Sequence, residues 1–519
     1  MKKKELFLPK NLLQNFSIVG FWTLLSRVLG FIRDILIASF LGSGPVAEAF
    51  IVAFTLPNMF RRLFAEGAFN TAFIPMLSKK LSSKNNAENF ASDALSLLIA
   101  LLLCLTAIAE IFMPSFVFML ASGFTIDSRF DLSISFGRLM FPYIFFISLS
   151  AFLGGVLNTL NKYSVTAAAP LLLNLFFILG LFIAYIFDLD FGWTLTFCVP
   201  IAGLCQLVIM IIFLSNQKFK VKLKIPQLTP EIRNLIKIAT PAALAGGVIQ
   251  INLVVGRQVA SYFEGAIAWL NYADRVFQLP LGVVAIAIGV VLLPNLSKTT
   301  SHKALEESNN VINRSTEFAL ILTLPATCAL LIIPYPIIAT LFERGAFTTS
   351  DAINTSKALV VYAIGLPAFV FQKIFSTIYF ANGNTKSPFK FALIGMVTNL
   401  ALAVGLTIPL GYLAPPVGTT VSGWLIALLL WRNASIFKFK FDKKFKLVFG
   451  KLIAASISLS IFLILVTNFF GEAILDHPTR TINLIILILV TCGFYFGVCY
   501  LLGLQKLLLR KSPRRETKV

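Results

Sequence analysis

Apolar runs of about 20 residues recur from one end of this chain to the other, each long enough to cross a bilayer as a helix. In hydrocarbon every backbone N–H and C=O must find its partner inside the segment, so such runs fold as helices. The whole chain is 57% hydrophobic and 13% charged over 519 residues, which excludes an ordinary soluble domain. The expected class is an all-α polytopic membrane protein. No cleavable leader is expected, because MKKKELFLPK passes into the first run without a small-residue cleavage site.

Apolar runs broken by Gly, Pro and charge give fourteen expected spans. They lie at 14–41, 46–66, 91–120, 132–158, 163–187, 191–215, 236–262, 266–294, 313–342, 352–380, 388–412, 415–437, 447–470 and 480–504. Alternate connections collect lysine: Lys79, Lys80 and Lys84, then Lys162, then Lys218 to Lys224, Lys298 and Lys303, Lys386 and Lys390, and Lys438 to Lys446. The other connections carry Asp127, Asp131, Asp188, Asp190, Glu264, Asp351, Glu472 and Asp476. By the positive-inside rule both termini are expected on the cytoplasmic side, which requires an even number of spans.

A repeat is visible at an offset of roughly 220 residues. FIPMLSK (73–79) matches LLPNLSK (292–298), IASFLG (37–42) matches VASYFEG (259–265), and LNTLNKYS (157–164) echoes FANGNTKS (380–387). Six spans separate the copies, so both keep one orientation: two six-helix lobes in a parallel pseudo-repeat, with two helices appended. The expected boundaries are 1–216 for the first lobe, 217–235 for a basic cytoplasmic linker, 236–437 for the second lobe and 438–519 for the appended pair and tail. FAEGAF (64–69) and FERGAF (342–347) are alike but do not share that offset.

The formal net charge of +21 does not read as a nucleic-acid surface, since it lies between spans and at the termini, where anionic lipid headgroups meet it. The six cysteines all fall in apolar runs without metal-ligand spacing and read as packing residues. The two histidines, His302 and His477, are expected in loops, so no metal centre or cofactor site is expected. No P-loop and no intramembrane carboxylate pair is present to drive catalysis, and the chain is not expected to be an enzyme.

Function is carried instead by arginines inside the apolar runs: Arg27 and Arg33 in the first, Arg61 and Arg62 at the end of the second, Arg275 in the eighth. Each costs about 2.5–3.5 kcal/mol near a membrane helix centre, so they are expected to face a water-filled cavity. Arginine stays charged and engages phosphate oxygens with its fork, which favours a phosphorylated amphiphile over a cationic drug. Arg33 has a second reading, as an interface anchor or the partner of Asp34 or Glu48. Arg62 and Glu66 are spaced to pair along one helix, whereas Asp274 and Arg275, as sequence neighbours, are not. Arg257 and Arg138 read equally as interface anchors.

SRVLGFIRD (26–34), AFIVAFTLPNMFRRLFAEGAFNTAFIPMLSK (49–79) and YADRVFQLPLGVVAIAIGVVLLPNLSK (272–298) resemble the MurJ/MviN lipid II flippase family of the multidrug/oligosaccharidyl-lipid/polysaccharide exporter superfamily. The resemblance implies transport of lipid II, an undecaprenyl-pyrophosphate-linked disaccharide-pentapeptide, across the bacterial cytoplasmic membrane for peptidoglycan assembly. It implies a cationic cavity at Arg27, Arg33, Arg61 and Arg275 with Asp34 beside them, and a groove for the polyprenyl tail on the appended helices. Gln278 departs from relatives that carry an acid there. The coupling ion and any partners in the cell-wall machinery are left open. The rival readings are a flippase for another polyprenyl-linked oligosaccharide of the O-antigen type, a multidrug antiporter, and a membrane-embedded lipid-processing enzyme. The last two lack their acidic cavity and catalytic groups.

Overall fold

The computed structural model describes residues 10–62, 68–83, 86–291, 302–437, 439–475 and 478–504, which are helical almost throughout and contain no strand. The helices are α1 (Lys10–Leu41), α2 (Pro45–Arg61), α3 (Ala68–Ser82), α4 (Ala87–Ile111), α5 (Met113–Leu120), α6 (Arg129–Met140), α7 (Tyr143–Thr159), α8 (Tyr163–Ile186) and α9 (Phe191–Ser215). They continue as α10 (Pro230–Ala260), α11 (Ala266–Val291), α12 (His302–Ile332), α13 (Pro334–Phe342), α14 (Thr349–Ala381) and α15 (Lys386–Gly405). The last three are α16 (Ala414–Asn433), α17 (Lys443–Leu475) and α18 (Arg480–Leu501).

Ten helical segments among the described residues are long and apolar enough to cross a membrane. The helices outside that set include α1, α2, α10 and α11, which carry Arg27, Arg33, Arg61, Arg257 and Arg275. Proline explains several breaks within expected spans: Pro142 separates α6 from α7, and Pro334 opens α13, because proline supplies no N–H to the preceding turn. His302, expected in a loop, instead opens α12, which begins well before the apolar run that marked the ninth span. Its first turns are polar, and hydropathy alone does not register them. His477, Glu66, Lys84 and the 292–298 copy of the repeat lie outside the described residues.

The chain forms two compact units, residues 1–268 with Arg344–Phe347, and residues 269–343 with 348–519. In the first, α1 packs along α8, α8 and α7 pack on α9, α2 on α6, and α10 on α3. In the second, α14 and α15 pack on α16, α12 on α14 and α17, and α17 on α18. Leu452, Ala455, Leu459 and Leu463 of α17 are fully buried there, while Ile457, Ile461 and Leu465 stay exposed as a lipid-facing helix requires.

The segment expected as a free basic linker is strapped to α4. Alternate backbone N–H groups of Lys220, Lys222 and Lys224 donate to Glu88 Oε1, Ser92 Oγ and Ser96 Oγ at 2.8, 2.9 and 2.9 Å. The register works because two residues of extended chain advance about 6.6 Å and four residues of helix about 6 Å. Paired Ser92→Ala and Ser96→Ala changes remove two acceptors at about 1 kcal/mol each. The expected result is faster tryptic cleavage at Lys220–Lys224 with the rest of the chain unchanged.

Matched positions of the sequence repeat adopt matched geometry. Gly42 follows α1 with φ of +63° and Gly265 precedes α11 with φ of +79°, and Asn161 and Gly383, one residue apart in the alignment of their segments, turn at +62° and +70°. Two backbone clasps in the first unit follow the same register. Gly123 N donates to Ser261 Oγ at 3.0 Å, and a Cβ on Gly123 would lie 2.6 Å from the Ser261 carbonyl. Gly345, at φ +60°, presses on Ser39 so that a Cβ would meet its carbonyl oxygen at 2.2 Å, and Ala346 N donates to that oxygen at 2.7 Å. Gly345 and Ser261 lie 222 residues beyond Gly123 and Ser39. FERGAF is therefore the counterpart of LASGFT (120–125), which explains why it missed the offset from FAEGAF. Alanine at Gly383, where a Cβ meets open space, is expected to cost about 1–2 kcal/mol through its left-handed φ alone. Alanine at Gly345 must also displace the Ser39 backbone, and should lower the unfolding midpoint in detergent markedly further.

Candidate functional site

The expected cavity arginines sort into different environments. Arg27 is exposed on α1, and Arg61, the last residue of α2, is half-buried with its Nε donating to Asn58 Oδ1 at 3.3 Å. Arg33 is 9% exposed and its guanidinium folds back on its own neighbour, donating from Nε and Nη2 to Asp34 Oδ1 at 3.0 and 2.7 Å. Its Nη1 donates to Asn174 Oδ1 of α8 at 2.9 Å, and it lies 5.5 Å from the centre of the Phe177 ring. Asn174 Nδ2 in turn donates to the Ser26 carbonyl at 3.0 Å. Gly30 admits this approach, since a Cβ there would already touch the Asn174 amide at 3.5 Å. Of the two readings of Arg33, the geometry matches pairing with Asp34. Glu48 is engaged elsewhere, by Arg129.

Arg62 is exposed at the end of α2. Arg257 is half-buried on α10 and donates to the Ile51 carbonyl at 3.1 Å, and Arg138 is exposed on α6. In the second unit, Arg275 is half-buried ten residues into α11, and Gln278 donates to the carboxylate of Asp274 one turn back.

Within the first unit, α1, α7, α8 and α9 with the facing ends of α2 and α3 line a half-open cavity of about 340 Å³. Arg61 lines it, with Asn70, Asn158, Asn174 and Gln206. Hydroxyls of Ser26, Ser150 and Thr166 complete its polar wall. Thr166 Oγ1 donates to Asn158 Oδ1 at 2.8 Å, and Gln206 Nε2 to the Ala169 carbonyl at 3.0 Å. Arg61 is the sole charged residue of that lining, among the described residues. Such a wall can hold an uncharged, hydrogen-bonding group beside one anionic oxygen.

Two buried ionic clusters escaped the sequence reading. Arg129, placed in an acidic connection, donates to Glu48 Oε2 at 2.7 Å and to Asp127 Oδ2 at 2.6 Å, over the face of Phe124. In the second unit Arg314 bridges Glu317 of α12 and Asp442, beside Asn313, which donates to the Lys440 carbonyl at 3.1 Å. An isolated Glu48 in an apolar run was the available signal for the first, because a buried carboxylate needs a cation. Among the described residues no group of three or more His, Cys, Asp or Glu is placed to hold a metal ion.

The family profile described as Lipid II flippase MurJ matches residues 37–479. The chain belongs to the MurJ lipid II flippase family. It is 38% identical to the probable lipid II flippase MurJ of Rhizobium tropici, over 97% of this chain and 98% of that protein. It is 39% identical to the Rhizobium meliloti counterpart over 97% of each. Among solved structures, a lipid II flippase MurJ in an inward closed conformation superposes with a TM-score of 0.79 at 26% identity, covering 95% of this chain and all of that one. An inward-facing multidrug resistance MATE transporter, at 18% identity and a TM-score of 0.64, shares the fold.

Proposed function

We propose that this chain moves lipid II from the inner to the outer leaflet of the bacterial cytoplasmic membrane. The observation that carries the reading is 38–39% identity, across 97% of the chain, to proteins named as probable lipid II flippases. On this reading the protein has fourteen spans, both termini in the cytoplasm, and two six-helix lobes with an appended pair that holds the polyprenyl tail. α10 packs with the first unit, yet the repeat pairs it with α1, so it is assigned as the first span of the second lobe.

Arg27, Arg61 and Arg275 are assigned to the pyrophosphate. Arg27 is exposed on α1, and Arg61 and Arg275 are half-buried; at membrane depth such a guanidinium needs an anion or water. Arg33 and Asp34 support them, since their pair fixes Asn174 and with it the junction of α1 and α8. Asp274, held by Gln278, keeps the same turn of α11 as Arg275 ordered. Arg62 and Glu66 flank Arg61 at the end of the second span.

Expression in bacteria depleted of their own lipid II flippase tests the assignment. Growth and lipid II labelled at the outer leaflet should both be restored. Well-inserted protein that restores neither would overturn the substrate and point to another polyprenyl-linked oligosaccharide.

A further inference from the structure

The cavity of the first unit is built for something other than a pyrophosphate. A diphosphate brings at least two negative charges, and a wall whose described residues include one guanidinium leaves the second without a cation from them, in a setting where that is costly. The remaining polar groups are carboxamides and hydroxyls. A carboxamide presents a donor and an acceptor on one rigid plane, which is the requirement for a sugar hydroxyl or an N-acetyl amide, each of which also both donates and accepts. Its volume, about 340 Å³, sits at the low end of the ~300–1,000 Å³ typical of ligand pockets. That seats one sugar ring, and the open side leaves the rest of a larger substrate outside it.

The wall of α7 has the small residues such a ligand needs. Ala151, Gly154 and Gly155 face the cavity, and a Cβ on Gly155 would come within 3.2 Å of Asn70 Oδ1. The Ala151 carbonyl accepts from Asn70 Nδ2 at 3.5 Å, so the amide is oriented from below by backbone. Asn158 and Thr166 are oriented by one another, whereas Asn174 is held at both ends of its amide by Arg33 and Ser26 and forms a fixed part of the wall. Pre-oriented amides around an empty-walled space describe a recognition surface, because the groups are fixed before the ligand arrives.

We infer that this cavity is the subsite for a neutral, N-acetylated sugar ring of the lipid-linked substrate, with Arg61 at its phosphate-proximal edge. The inference rests on the transport reading above and names which part of the substrate meets which residues. It makes Asn158 and Ala151 specificity determinants, separate from the groups that hold charge.

The test uses the full chain in nanodiscs and two probes, lipid II and sugar-free undecaprenyl pyrophosphate, each titrated as a competitor of fluorescent lipid II. Ala151→Leu fills the space, and Asn158→Leu removes an amide while keeping the branching and heavy-atom count of the side chain. Either variant is expected to weaken lipid II by about tenfold, the loss of one or two hydrogen bonds, and to leave the sugar-free lipid within about twofold. Equal weakening of both lipids, or no change for lipid II, would overturn the subsite while leaving the transport reading intact. Wild-type protein that binds neither lipid would remove the transport reading itself, and the subsite with it. Unfolding midpoints accompany each titration, and if Ala151→Leu does not fold, Asn158→Leu decides the question alone.

Discussion

Alanine at Arg27, Arg61 or Arg275 is expected to abolish rescue of flippase-depleted bacteria while leaving the amount of folded protein in the membrane unchanged. Truncating one partner of a desolvated charge pair costs about 2–5 kcal/mol, or roughly thirty-fold and more in binding. A carrier that must capture its lipid at low abundance does not absorb such losses. Lysine at the same positions keeps the charge but loses the fork, so partial rescue is expected from Arg→Lys and none from Arg→Ala. Arg33 makes a different prediction. Its removal takes a paired cation from Asp34, 7% exposed, and a donor from Asn174, so Arg33→Ala should reduce the yield of folded protein first. The comparison that decides is surface lipid II per molecule of inserted protein. Full activity per molecule in the Arg275→Ala variant would end its assignment to the substrate.

What could be read from the sequence, and what could not, follows from what each signal measures. Hydropathy located the apolar runs because burial in hydrocarbon is a bulk property of about 20 residues, and it located Arg61 and Arg275 because a charge interrupts such a run. It gave the start of α12 wrongly, since polar turns of a helix that extends beyond the membrane carry no apolar signal. Helical periodicity puts Arg33 and Asp34 on different faces, and the pair forms because the arginine stem is long enough to fold back. The partner that fixes it, Asn174, lies 141 residues away on a helix whose neighbour no local pattern names. A cavity at Arg61 was expected, but the polar wall around it was not, for a related reason. Beside Arg61 that wall is made of Asn, Gln, Ser and Thr, whose cost in a membrane helix is well below that of a charge, so none of them interrupts an apolar run as an arginine does. Only packing of α1, α7, α8 and α9 brings them to one place.

Replacing Arg129 by Met is expected to be among the most destabilising single changes in the first unit. Glu48 is fully buried on α2, and Arg129, 4% exposed, is its cationic partner. Its other oxygen accepts from the backbone N–H of Ile267 at 3.0 Å, a neutral donor that supplies no countercharge. Losing the guanidinium leaves that carboxylate buried without countercharge, which costs about 3–5 kcal/mol. Glu48→Leu should cost less, because Arg129 still holds Asp127. The double variant Glu48→Leu/Arg129→Met should be more stable than Arg129→Met alone, since no charge is then stranded. The connection supplies a pH signature as well. The hydrogen bond from Arg129 holds the Asp127 carboxyl below its ordinary range. Its folded pKa being depressed, Asp127 stabilises the protein above the unfolded carboxylate pKa of about 3.9, and that contribution is lost as pH falls through the lower, folded value. Unfolding midpoints of the wild type between pH 7 and pH 3 should therefore fall more steeply than those of Asp127→Asn. A double variant less stable than Arg129→Met would show that Glu48 is held by something other than its ion pair.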